Sequence, residues 1–143
     1  MASGWTNRGK YNLLKTLQGT ALPTNFSIAF STDTPTEATA TMAALTEPAG
    51  YSRYSLNKDS TDWDTITETD GSTNQAAIKL KDIAFTASGA DLPTTAATYA
   101  LLCDDTSGSS AEVWAFFDLQ ASRQVSDGQT LTLVDCELRF DKP

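Results

Sequence analysis

The spacing of hydrophobic residues changes once along the chain, near residue 23. Before that point, three leucines fall on one face of a helix that we predict over residues 7–18, with Thr6 or Asn7 as its N-cap. After it, apolar and polar residues alternate, beginning with residues 26–31, which this alternation predicts to be a half-buried strand. The pattern therefore indicates one short helix followed by a β-rich body.

Five further segments have the pattern of strands: residues 50–56, 76–86, 98–103, 112–119 and 130–140. Residues 98–103 and 112–119 are almost continuously apolar and are joined by a polar turn cluster, which predicts a central hairpin buried on both faces. In 76–86 and 130–140 the apolar positions change sides part-way along the segment. Such a change is typical of a β-bulge.

The remaining segments lack a strand pattern. Residues 31–50 are predicted to be a long loop or extended arm, and residues 57–74 a loop or a peripheral hairpin. The chain length of 143 residues is typical of one domain. We divide the chain into an N-terminal arm with the short helix, residues 1–22, and a body, residues 23–143. The expected fold class is all-β, with the body an antiparallel β-sandwich or jelly roll.

Charge divides the chain at nearly the same place. The first 19 residues hold three basic side chains and no acidic one, whereas the 7 later basic residues face all 18 acidic ones, a net charge of −11. Trp5, Arg8 and Lys10 therefore form a cationic element with an aromatic anchor, which we predict to be a docking arm. An alternative is that Trp5 and the leucines of the helix close the open end of the sandwich. The acidic body argues against nucleic acid as a partner.

The chain has no histidine, which removes the commonest general base and the usual zinc sites. We expect no enzyme, no catalytic residue and no cofactor. The acidic segment with Asp59, Asp62, Asp64, Glu68 and Asp70 beside Trp63 leaves a paired-carboxylate site or a calcium site open. The preferred interpretation is a solvated acidic loop, so no metal site is assigned. Asp104–Asp105 is a weaker calcium candidate.

Cys103 and Cys136 lie in apolar strand-like segments and are expected to be buried, with their pairing left open. The sequence contains no apolar run long enough to cross a bilayer and no signal peptide. We therefore expect synthesis in a cytoplasm and no membrane partner.

Six short motifs occur in the order Gly4–Lys10, Leu22–Phe26, Gly50–Arg53, Ile83–Gly89, Tyr99–Leu102 and Val125–Leu133. Together they resemble a family of small virion proteins of tailed bacteriophages, some of which are capsid decoration (cement) proteins while others carry tail-fibre labels. The resemblance implies a virion structural protein. It carries over Trp5, Arg8 and Lys10 as the docking arm.

We expect a decoration protein on the capsid exterior, which binds the major capsid protein lattice, stabilises the head and self-associates as a dimer or trimer. The main alternative is a tail-fibre or receptor-binding module, although 143 residues leave little room for a fibrous stem. A lectin or carbohydrate-active enzyme is a third possibility. It is weaker, because Trp63 is the one aromatic residue expected to be exposed.

Overall fold

A computed structural model describes residues 3–68 and 76–140. These residues form nine strands and one α-helix: β1 (Gly4–Trp5), α1 (Asn7–Thr16), β2 (Phe26–Ser31), β3 (Tyr54–Leu56), β4 (Ala77–Lys79), β5 (Ile83–Thr86), β6 (Leu92–Cys103), β7 (Val113–Val125), β8 (Thr130–Leu133) and β9 (Glu137–Arg139). One turn of 3-10 helix, Met42–Ala44, interrupts the loop after β2. The predicted all-β fold with one short N-terminal helix is confirmed.

All strand pairs are antiparallel. Five strands form one sheet in the order β1-β7-β6-β2-β3, and the other four form the pairs β4-β9 and β5-β8. Side chains from both pairs, such as Leu138 and Phe85, share one hydrophobic core with the five-stranded sheet. The two pairs therefore cover one face of that sheet as the second layer of a sandwich.

Strand β2, residues 99–103 of β6 and residues 113–117 of β7 are buried on both faces. A second core on the opposite face holds Ala29, Leu101 and Phe116, and Met42 from the 3-10 turn packs into it. The predicted central hairpin is thus confirmed. The prediction of a half-buried strand at 26–31 is wrong, because all six residues of β2 are buried under this additional cover.

The two predicted bulges are each a pair of separate strands. Residues 76–86 form β4 and β5, and residues 130–140 form β8 and β9. The chain crosses between the two strand pairs in both places, because β4 pairs with β9 while β5 pairs with β8. Where the chain passes from one strand pair to the other, the alternation of inward-facing and outward-facing residues shifts by one position. In the second segment this passage occurs beside Asp135, whose φ is +56°. Val134, an apolar residue of this second segment, is exposed.

The N-terminal segment forms the edge of the five-stranded sheet. Gly4 and Trp5 pair with Phe116 and Ala115 of β7. The next residue, Thr6, is fully buried. Its hydroxyl donates to the carbonyl oxygen of Val113 over 2.5 Å and accepts the amide hydrogen of Gly9 in the first turn of α1. Thr6 is therefore the N-cap, one of the two predicted candidates. The division into arm and body at residue 22 stays a prediction.

Helix α1 approaches β7 backbone to backbone at Gly9. A Cβ atom on Gly9 would lie 2.1 Å from the carbonyl oxygen of Trp114, a separation that no real Cβ contact reaches. A side chain at this position would push the helix off the strand. Glycine is therefore the residue that fits this close contact, although it lowers the stability of the helix by up to about 1 kcal/mol relative to alanine.

An ion pair between a buried arginine and a partly exposed glutamate fixes the loop between β2 and β3. The side chain of Arg53 is 4% exposed; its Nη2 donates to Glu47 Oε2 over 2.7 Å and to the carbonyl oxygen of Gly108 over 2.9 Å. Tyr51 donates its hydroxyl hydrogen to Glu47 and accepts the amide hydrogen of Phe30. Burial by itself raises the pKa of Glu47, but its hydrogen bonds to Arg53 and Tyr51 outweigh burial and lower that pKa.

The contact at Gly9 predicts that Gly9→Ala destabilises the protein, although alanine is the better helix former. The overpacked contact should lower the free energy of unfolding by about 2 kcal/mol in urea denaturation. Gly4→Ala is the matched control, since a Cβ on Gly4 meets nothing within 4 Å and should change stability little. A Gly9→Ala variant more stable than the parent would contradict the model of this contact.

The lowered pKa of Glu47 predicts an acid-dependent contribution to stability. A carboxyl whose pKa is lowered by folding stabilises the native state above its ordinary value of 4.5, and that contribution disappears as the pH falls through the lower, folded value. Glu47→Gln should therefore lose roughly 1–2 kcal/mol at pH 7. The difference from the parent should shrink in denaturation curves below pH 4.5. Glu37→Gln serves as the control, because the side chain of Glu37 is 68% exposed. Its free energy of unfolding should differ little from that of the parent at either pH.

Candidate functional site: an apolar groove beside the N-terminal helix

A groove with a volume of about 610 Å³ opens at the end of the sandwich nearest α1. It lies between β1, α1, the strand pair β4-β9 and the loop that follows β3. Its apolar lining includes Trp5, Leu13, Leu22, Phe26, Trp63, Ile66, Ile78, Leu102, Trp114, Leu138 and Phe140. A groove of this size and composition is suited to the apolar side chains of a binding partner.

One wall of the groove is an aromatic pair. The rings of Trp5 and Phe140 are stacked with their centroids 5.4 Å apart and their planes 1° from parallel. Phe140 is 52% exposed, so the pair is covered by the protein on one side only. The indole N–H of Trp5 is buried and has no acceptor among the described residues. This wall therefore offers a partner an aromatic surface, and the indole N–H is not accessible for a hydrogen bond.

The rim of the groove carries charges of both signs. Lys58 donates to the carbonyl oxygen of Pro23 over 2.6 Å, and Lys81 donates to the carbonyl oxygen of Ser60. These two lysines are thus held by backbone atoms of the same chain. Asp59 and Asp64 line the same rim and give its loop side an acidic character.

The surface of α1 next to the groove is also apolar. Leu13 lines the groove, and Leu17, one turn later, is 83% exposed. Leu14 is 64% exposed and Leu22, at the groove mouth, is 45% exposed. Large side chains this exposed are unusual when they are adjacent to one another, and a contiguous apolar patch marks an interaction surface.

The three predicted docking residues do not form one surface. Trp5 is half-buried and faces the groove, where it packs against the main core with Leu13. This placement is the one expected if the segment closes the end of the sandwich. Arg8 and Lys10 lie outside the groove, 3.6 Å from Glu112 and 3.7 Å from Glu37, with side chains 40% and 46% exposed. The docking role of all three stays a prediction.

Several carboxylates of the acidic loop have local structural partners. Asp62 is 5% exposed and accepts hydrogen bonds from the backbone and side-chain amides of Asn57 and from the hydroxyl of Tyr54. Asp59 accepts the amide hydrogen of Thr61 in a tight turn. Asp70 lies outside the described residues. Within 3–68 and 76–140, no three acidic or cysteine side chains gather closely enough to hold a metal ion.

The second acidic pair lies in the β6–β7 turn. Asp104 accepts the amide hydrogen of Glu112, and its pKa is raised, mainly by burial. Asp105 accepts the amide hydrogen of Thr106 and its carbonyl oxygen accepts the hydroxyl of Ser27. Both residues therefore stabilise the turn.

Both cysteines are free and buried, which answers the question of their pairing. Burial raises the pKa of the Cys103 thiol to about 12 and that of Cys136 to about 11. Thiols in this state are protonated at neutral pH and are poor nucleophiles. No helix among the described residues combines the length and hydrophobicity needed to cross a bilayer.

Sequence reasoning missed most of the groove. Its walls come from segments far apart in the chain, and a periodicity argument treats each segment alone. One usable signal was present: Trp63 and Ile66 are apolar residues in an otherwise polar loop. They line the groove opposite α1.

Comparison with known proteins adds a family. The model of the family described as podophage GP4 fiber I protein gp80 matches residues 3–141. No curated protein matches the chain. No solved structure matches it either. The family match spans nearly the whole chain and agrees with the resemblance to tailed-phage virion proteins that the sequence motifs indicated. The chain therefore belongs to the podophage GP4 fiber I protein gp80 family of phage virion structural proteins.

Proposed function

We propose that this protein is a non-catalytic structural subunit of a podophage fibre. The observation that carries the proposal is the family match over residues 3–141, whose description names a fibre protein. The site geometry supports a binding role, since the groove is lined mainly by apolar and aromatic side chains. Its partners are expected to be other virion proteins, with neither nucleic acid nor membrane among them.

A surface suited to attachment lies on the side of α1 away from the groove. Positions 8, 11 and 15 form one stripe of the helix. The cations of Arg8 and Lys15 lie 5.9 Å and 5.4 Å from the centre of the Tyr11 ring, and that tyrosine is 54% exposed. An aromatic ring flanked by two cations is a typical interface anchor. The acidic patches of a virion partner would complement it.

The second candidate is a capsid decoration protein bound to the major capsid protein. The exposed cations of α1 on a strongly acidic body favour this alternative, because they suit repeated weak contacts with an acidic lattice. A lack of room for a stem does not weigh against the fibre, because a fibre can be built from several chains.

Location in the intact particle separates the two candidates. An antibody against the protein should label the tail region in electron micrographs, and quantitative mass spectrometry should give a low copy number relative to the major capsid protein. Label spread over the head with a copy number close to that of the capsid protein would replace the fibre assignment with the decoration assignment.

The attachment surface predicts an effect of charge reversal. Arg8→Glu combined with Lys15→Glu should weaken attachment of the purified protein to particles assembled without it by about tenfold, as opposed charges become like charges. Attachment of the parent protein should also weaken as salt rises. Stability should hardly change, because exposed ion pairs contribute only about 0–1 kcal/mol each.

Lys79→Glu combined with Arg123→Glu is the charge-matched control, since both residues lie on other elements. It should attach like the parent. Equal weakening by both double variants would mean that net charge alone governs attachment and that α1 is not the attachment surface.

A further inference from the structure

Exposed hydrophobic side chains are concentrated at one face of the molecule. Seven large hydrophobic residues are exposed among those described. Three of them, Leu22, Ile66 and Phe140, line the groove. Two more, Leu14 in α1 and Leu17 at its C-cap, lie on the helix surface next to Leu13 of the groove wall. The groove is therefore the centre of a larger apolar face that the described chain leaves uncovered.

This face combines a ridge and a groove. Positions 10, 14 and 17 form a stripe of α1 that stands next to the groove wall at Leu13. The stripe projects two exposed leucines, whereas the groove accepts apolar side chains. Because both features lie side by side, one copy of the chain can supply a ridge and receive another at the same time.

Charge on this face is also complementary between copies. The ridge carries Lys10, whose side chain is 46% exposed and lies 3.7 Å from Glu37 of its own chain, so the ammonium stays accessible to a partner. The opposite lip of the groove carries Asp59 and Asp64, and its two lysines are occupied by backbone carbonyls of the same chain. When a ridge enters the groove of another copy, the lysine of one meets the acidic lip of the other. The contact thus places opposite charges together although the two bodies have the same net charge.

We propose that a second copy of this chain docks on this face, with the leucine ridge of α1 in one copy inserted into the groove of the other. Reciprocal insertion closes a dimer, and the same contact repeated head to tail closes a small ring. The proposal is independent of whether the protein serves the fibre or the capsid, because it concerns the purified chain alone.

Sedimentation equilibrium of the purified protein tests the proposal directly. The parent should form a closed oligomer at micromolar concentration. Leu17→Glu should weaken self-association at least about thirtyfold, as the loss of an interface anchor does. Leu17 is 83% exposed, so this variant should fold like the parent. Val134→Glu, on an exposed residue away from this face, should leave the oligomer intact.

A charge-swap pair tests the geometry of the contact. Lys10→Glu alone sets an acidic ridge against an acidic lip, and Asp64→Lys sets a basic ridge against a more basic lip. Each variant should self-associate more weakly than the parent. In an equimolar mixture, the acidic ridge of the first meets the lysine of the second, while the basic ridge of the second meets the unchanged lip of the first. The mixture should therefore regain heteromeric association, measured with one variant fluorescently labelled.

Three outcomes would overturn the proposal. The first is a parent protein that stays monomeric up to about 100 μM, well above the range of specific association. The second is an oligomer that Leu17→Glu leaves intact, which would place the contact elsewhere. The third is weakening by both charge variants without recovery in the mixture, because ridge and lip would then not meet across copies.

Discussion

The structure depends on the burial of both faces of β2 and of the central parts of β6 and β7. Strands that are apolar on both sides need cover on both sides, and the chain supplies each cover from a different source. The strand pairs β4-β9 and β5-β8 cover one face, and the 3-10 turn with Met42 covers the other. At the outer edge of β7, β1 and Thr6, the N-cap of α1, occupy backbone groups that would otherwise be free to pair with another chain. The strand pair β4-β9 and α1 thus form two walls of the groove and also pack against the central strands of the sheet.

The sequence pattern predicted those parts of the fold in which the residues of one strand are sufficient to indicate its burial. The continuous apolar segments 98–103 and 112–119 have no polar face, so their central position followed directly. The strand at 26–31 was misjudged because Ser27 and Ser31 are fully buried, with hydroxyls that donate to the carbonyl oxygens of Asp105 and Asp33. A small polar residue that finds a backbone acceptor is indistinguishable in sequence from one that faces water. A change of apolar parity is equally ambiguous, since a bulge and a crossing between strand pairs both produce it.

The candidate site was less accessible to prediction than the fold. The charge that Arg8 and Lys10 share, next to Trp5, suggested one docking surface. In the structure, the pairing of β1 with β7 turns Trp5 inward, while α1 carries Arg8 outward. Strand β1 ends at Trp5 and α1 begins at Asn7, so the pattern of side-chain directions changes within a few residues. At such a junction the direction of a side chain depends on which strand β1 pairs with. The groove itself arises only when Trp63 and Phe140, distant in sequence, are brought to the same end of the sandwich.

The two buried cysteines have a consequence for a protein that is part of a virion. A phage particle spends its time outside the cell, in oxidising surroundings where accessible thiols form disulfides. Many neighbouring copies of a chain with an exposed thiol would become randomly cross-linked. Here Cys103 is fully enclosed and Cys136 nearly so, and their raised pKa values leave almost no thiolate at neutral pH. The chain can therefore carry cysteine as a small hydrophobic residue without presenting a reactive thiol to neighbouring copies.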